Sequence, residues 1–255
     1  MTAVSRVFAV ANQKGGVAKT TTVHSLGAAL AERGLEVLLV DLDPQACLTY
    51  SMGVPADELT SSMHDVLVHQ RPAEEAVVKV GELHLLPSTI DLAGAELHLL
   101  SKTGREYALA RALGPVSASY DVVLIDCPPS LGILTIDGLT AADEVLIPLQ
   151  CETLSSRGVG QLLETIADVR SYTNPDLAVA GVIATMYDSR TRLAQQVLAA
   201  VRDDYGLEIL EPPIPKSVRV AEAPSTSRSV LAHAPHSPAA EAYRALGATI
   251  AARLP

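Results

Sequence analysis

Apolar residues fall in short unbroken runs along this chain, and stretches with helical spacing separate each run from the next. The runs are residues 7–11, 37–40, 83–86, 122–125, 144–149 and 178–185. A strand with one face in water alternates apolar and polar positions. A run without alternation is buried on both faces, as strands of a parallel sheet are. Between the runs lie Ala- and Leu-rich helical patterns at 20–33, 63–68, 73–80, 92–100, 105–113, 135–142, 158–170, 192–205 and 239–253. Ile209 and Ile214 flank a Pro-rich turn. Strands and helices alternate throughout, which predicts an α/β fold: a doubly wound, mostly parallel sheet flanked by helices. No linker, repeat or low-complexity segment interrupts the pattern, so residues 1–255 read as a single domain. The Pro/Ser-rich stretch 223–238 reads as a surface excursion.

Composition adds three constraints. Hydrophobic residues make up 48% of the 255, enough for a packed core without staples, and with 3% aromatics and no Trp that core is aliphatic. Cys47, Cys127 and Cys151 form no C-x-x-C pair, which predicts reduced thiols rather than a disulfide framework or a zinc site. No signal pattern opens the chain and no apolar run approaches membrane-spanning length, so a cytoplasmic protein is expected. The net charge of −10 argues against a generally basic surface. Residues 54–101 alone hold eight acidic and two basic side chains, so the acidity is partly regional and a basic face elsewhere is possible.

The chemistry centres on Lys14-Gly15-Gly16-Val17-Ala18-Lys19-Thr20-Thr21. An apolar run leads in and a helical pattern leads out, the context a phosphate-binding loop requires. Two glycines let the backbone turn tightly and aim N–H groups at one anion. The helix that follows directs its positive end at the same point. Lys19 can reach the β- and γ-phosphates, and the Thr20 hydroxyl can ligate Mg²⁺. Asp41 and Asp43 end one apolar run and Asp126 ends another, where ligands of parallel sheets sit. Asp126 and Asp43 are candidate water-mediated Mg²⁺ partners, Asp43 can also orient a water and take its proton, and Asp41 is expected to support Mg²⁺ or the loop.

Ala18 replaces the last Gly of the standard loop, Gln13 its first, and Lys14 is additional. In this form the loop resembles that of the ParA/MinD family of dimerising ATPases. The resemblance implies that Lys14 reaches across a homodimer to the partner's nucleotide. Asp43, in Asp41-Leu42-Asp43-Pro44-Gln45, would position the attacking water, and Asp126-Cys127-Pro128-Pro129 resembles the second switch. The blocks 185–192 and 214–225 resemble the ParA/Soj branch. There, residues matched by Met186 and Pro215 lie near the adenine, and arginines matched by Arg190 and Arg219 bind DNA without sequence preference. Lys216 and Arg228 add to the basic balance of 212–230.

Expected from this resemblance is an ATP- and Mg²⁺-dependent partition ATPase. It would dimerise on ATP, associate with the nucleoid, and respond to a ParB-like centromere-binding protein. Alternatives are a MinD-like membrane-positioning ATPase, nucleoid-based positioning of a protein cargo, or an iron–sulfur reductase. The Ala-rich end at 239–255 packs better than it inserts, so no membrane partner is expected. The segment 152–158 lacks the aromatic pair common in Soj-like chains. Only about a dozen residues precede the loop, so no N-terminal operator-binding domain is expected.

Overall fold

The computed structural model describes residues 5–152 and 155–254. Within the segment 152–158, Thr153 and Leu154 lie outside the described residues. The elements follow in chain order: β1 (Arg6–Val10), α1 (Lys19–Ala31), β2 (Val37–Asp41), α2 (Cys47–Ser51), α3 (Met63–His69) and α4 (Ala73–Ala76). Next come β3 (Val78–Val80), β4 (Leu83–Leu86), α5 (Leu92–Leu100), α6 (Ala108–Ser117), β5 (Val122–Asp126) and α7 (Ile133–Ala141). The last part holds β6 (Glu144–Gln150), α8 (Ser155–Tyr172), β7 (Ala178–Thr185), α9 (Arg192–Tyr205), β8 (Ile209–Leu210), α10 (Val218–Glu222), α11 (Val230–His233) and α12 (Pro238–Ala251).

All eight strands join one sheet in the order β3-β4-β2-β5-β1-β6-β7-β8, parallel except for the β3–β4 pair. The doubly wound expectation holds. After β1 the chain winds outward on one side through β2 and on the other through β6, so the switch point lies at the end of β1. Alternate strand residues serve opposite cores. Ala9, Leu38, Val40, Val123 and Ile147 pack with Met63, Leu92, Leu109, Leu134 and Leu162 of α3 and α5–α8. Phe8, Val10, Leu39, Leu124 and Leu146 pack with Val23 and Leu26 of α1, Val230 of α11 and Tyr243 and Leu246 of α12. Complete burial of each Val, Leu or Ile among them contributes about 1.5–3 kcal/mol.

Two expectations are corrected. The helical pattern at 73–80 is a single helical turn, α4, followed by the edge strand β3. Val78 and Val80 pair antiparallel with Leu85 and Leu83 across the turn at Gly81, whose φ is 61°. β-branched residues fit that half-buried edge better than a helix. The stretch 223–238 is not a plain surface excursion either. Ala223, Val230 and Leu231 are buried, and Ser25 Oγ on α1 accepts the Val230 N–H at 3.4 Å.

Candidate nucleotide site

The loop after β1 is held from three sides. The Asn12 amide donates to the Pro148 carbonyl at 2.7 Å, and its oxygen accepts the Lys14 N–H at 2.9 Å. The Thr185 hydroxyl, at the end of β7, donates to the Val17 carbonyl at 2.9 Å. The turn is made by Gly16 at φ 74° and Ala18 at φ 66°. Gly16 supplies that conformation without steric cost; Ala18 carries a Cβ into it, a strain on the order of 1 kcal/mol. Gly15 differs: its φ is not positive, and an added Cβ would meet Pro129 only at ordinary contact distance, 4.0 Å. From Ala18, α1 begins with the Thr22 N–H donating to the Ala18 carbonyl at 2.9 Å.

Lys19 is buried and folds back so that its ammonium donates to the Lys14 carbonyl at 3.3 Å. Burial lowers its pKa, opposed by the charge of Asp126 first and also by Asp43. The strand ends bring the carboxylates in. Asp41 and Asp126 face each other in register on β2 and β5. Asp41 is fully buried and satisfied: it accepts from the Asp43 N–H at 3.2 Å, the Thr49 N–H at 2.8 Å and the Thr49 hydroxyl at 2.7 Å. Burial raises it to about 6 despite the Thr49 bonds. It therefore ties the following loop to α2.

Asp126 has the opposite character. It is 1% exposed, and neither carboxylate oxygen receives a well-formed hydrogen bond. Burial and the Asp41 charge push its carboxyl well above the ordinary range, while the Thr20 hydroxyl and the Lys19 charge oppose them. Buried carboxylate oxygens without partners are costly unless something else completes them. A hydrated Mg²⁺ beside Thr20 fits that deficit, since Mg²⁺ takes oxygen ligands and keeps several waters.

Asp43 lies at the cavity wall, 9% exposed. One of its oxygens accepts the Gln45 N–H at 2.9 Å, and its carbonyl accepts the Ser88 hydroxyl at 2.9 Å. Gly15, Gly16, Ala18, Lys19, Thr20, Thr21, Asp43, Met186, Pro215, Lys216 and Arg228 line one cavity of about 960 Å³. The blocks 185–192 and 214–225 meet there through a bridge between Tyr187 and Pro215, with the Tyr187 N–H donating to the Ile214 carbonyl at 2.9 Å.

Other expected residues stand outside this cavity. Lys14 borders a smaller recess of about 360 Å³ with Gln13 and Arg157, and its ammonium sits 2.6 Å from Glu152. Arg190 is exposed and held bidentate by Asp188 at 2.9 Å through both bonds, which pulls Asp188 down to about 2. Arg219, also exposed, donates to Glu222 at 3.1 Å. The contacts made by Asn12, Ser88 and Thr185 and the Lys14–Glu152 pair are not legible in the sequence. Their partners stand 136, 45, 168 and 138 positions away, and only topology brings such pairs together. Asp188 stands two residues from Arg190, so that pairing could have been read from spacing.

A glycine loop at the switch point of a doubly wound parallel sheet, with a lysine, a threonine and strand-end carboxylates around it, defines a phosphate-loop nucleotide-binding protein. Comparison with known proteins gives the family. The family profile described as AAA domain matches residues 5–179. The chromosome partitioning protein ParA of Myxococcus xanthus is 42% identical over 246 residues, 96% of this chain and 87% of that protein. The sporulation initiation inhibitor protein Soj of Bacillus subtilis is 43% identical over 251 residues, covering 98% and 99%. The chain belongs to the ParA/Soj family of chromosome-partitioning proteins. It is also similar to the solved structure of cobyrinic acid a,c-diamide synthase from Mycobacterium smegmatis with bound ADP and magnesium. That similarity is 53% identity with a TM-score of 0.86, over 97% of this chain and 94% of that one.

Proposed function

We propose that this chain is an ATP-driven partition ATPase, acting as a single domain that dimerises when it holds Mg²⁺ and ATP. The observation that carries this reading is the cavity joining Lys19, Thr20 and Asp43, beside a buried Asp126 that the Thr20 hydroxyl and the Lys19 charge act on but whose oxygens receive no well-formed hydrogen bond. Mg²⁺, when bound, neutralises charge on the transferring phosphoryl group. Thr20 would hold it directly and Asp126 through water. Lys19 would bind the β- and γ-phosphates, with the N–H groups of Gly15 to Thr21 around them. Asp43 would orient the attacking water and accept its proton late, and its backbone is already fixed by Ser88. Met186 and Pro215 would flank the base. Lys14 would leave Glu152 and reach the nucleotide of a second copy. The dimer would present Arg190, Lys216, Arg219 and Arg228 to DNA on the nucleoid of the cytoplasm, and a ParB-like partner would stimulate hydrolysis.

The M. smegmatis structure is named instead as a diamide synthase, whereas the Myxococcus xanthus relative is named as a chromosome partitioning protein, which weighs toward partition. Among the described residues no helix is long and apolar enough to cross a membrane. The deciding experiment offers the protein unrelated DNA sequences and anionic vesicles, each with and without ATP. Partition predicts ATP-dependent, sequence-indifferent DNA binding. Co-sedimentation with vesicles and no DNA binding at low salt would replace it with the membrane reading.

A further inference from the structure

Away from the nucleotide cavity, α3 gathers two imidazoles and a carboxylate. One ligand atom from each of His64, Asp65 and His69 lies within 4.8 Å of the others. None of the three lines the nucleotide cavity or the recess at Lys14. The two rings already meet edge to face, with centroids 5.3 Å apart and planes at 80°. Asp65 is pre-oriented: its Oδ2 accepts the Ser62 N–H at 2.9 Å and the Ser62 hydroxyl at 3.3 Å in a capping box, which leaves Oδ1 for a ligand. Asp65 and His69 stand four residues apart, one turn of the same helix face. His64 and Asp65 are half-buried and His69 exposed, so an ion can enter from solvent.

We propose that His64, Asp65 and His69 form a binding site for a borderline divalent cation of the zinc class. The donor set decides the class. Two imidazoles and one carboxylate suit Zn²⁺, Co²⁺ or Ni²⁺, whereas Mg²⁺ and Ca²⁺ take oxygen ligands. Ligand atoms at 2.0–2.2 Å around zinc stand roughly 3.4 Å apart. Rotation of the exposed His69 imidazole, with a smaller adjustment of His64, would be needed to bring atoms now within 4.8 Å to that spacing. Three protein ligands leave one position for water. The site is separate from the Mg²⁺ site proposed beside Thr20 and does not depend on the partition reading.

The test titrates the untagged full chain with Zn²⁺ by calorimetry in millimolar Mg²⁺, and with Co²⁺ by absorption. Saturable binding of one ion per chain in the micromolar range is expected, with a Co²⁺ spectrum free of thiolate charge-transfer bands. His64→Ala with His69→Ala should weaken binding roughly tenfold or more, and exposed His69→Ala alone should weaken it without touching the fold. Cys47→Ser should leave it unchanged. The proposal fails if the histidine variants bind as the wild type does, if Cys47→Ser removes the site, or if no saturable binding appears below about 100 μM.

Discussion

Asp126 shows how a single residue gives up stability for binding. A carboxyl buried to 1% exposure whose oxygens receive no well-formed hydrogen bond is a cost to the fold. Asp126→Asn replaces an acid whose ionisation burial and the Asp41 charge oppose, so it should raise the thermal midpoint without nucleotide, by about 2–6 °C, and weaken the Mg²⁺ dependence of ATP binding. Scanning calorimetry with a Mg²⁺ titration checks both; a lower midpoint with unchanged Mg²⁺ dependence would count against the assignment. Lys19→Ala should cost roughly a hundredfold or more in ATP affinity, because the phosphates lose their buried counter-charge. Unchanged affinity by calorimetry would remove the phosphate-loop reading. The Lys14–Glu152 pair has both side chains well exposed, 39% and 52%. Such pairs hold little energy, so the pair presents a low barrier to the lysine leaving it.

At the scale of elements, helix contacts set what the nucleotide site rests on. α12 crosses α1 at Gly247, where an added Cβ would stand 2.9 Å from the Ala29 Cβ. Gly247→Val should destabilise the fold by about 1–3 kcal/mol in urea unfolding, and a variant as stable as the wild type would refute that close packing. Asp137 on α7 caps another helix: its Oδ1 accepts the Leu109 N–H at the start of α6 at 3.2 Å. Burial raises its carboxyl to about 7. A folded pKa above the unfolded value near 3.8 gives stability that is full below about 4 and lost as pH rises through 7. Asp137→Asn keeps the acceptor, so it should flatten this part of the pH dependence between pH 5 and 7.5. Urea midpoints for both proteins at those two values decide it, and equal slopes would contradict it. Six of the eight strands, the phosphate loop and the strand-end Asp41, Asp43 and Asp126 could be read from local runs because each signal lies within a few residues. β3 and the two-residue β8 could not, because only pairing with Leu83 and Leu85 makes Val78 and Val80 a strand, and only pairing with Val182 and Ile183 makes Ile209 and Leu210 one. The burial of Val230 likewise needs α1, some 205 positions earlier.

Over the whole molecule, a chain at −10 is repelled by DNA, so only a local basic surface can bind it. The structure sharpens that expectation, since Arg190 and Arg219 are each engaged by a neighbouring acid, Asp188 and Glu222. One copy would therefore offer only weak phosphate contacts. A dimer would offer two sets at high effective concentration. DNA affinity should rise with ATP and fall steeply with salt. Arg219→Ala should abolish it while ATP-dependent dimerisation persists; a mobility shift over a salt series measures this, and wild-type affinity in that variant would exclude the arginine.

On the proposed function, ATP joins two copies through Lys14 and Asp43 releases them. Light scattering of the wild type, Lys14→Ala and Asp43→Ala with saturating Mg²⁺ and ATP tests it most directly. Expected are a doubled mass for the wild type, a monomer that still binds ATP for Lys14→Ala, and a persistent dimer with slow hydrolysis for Asp43→Ala. A wild type that stays monomeric, or two variants that behave alike, would contradict it.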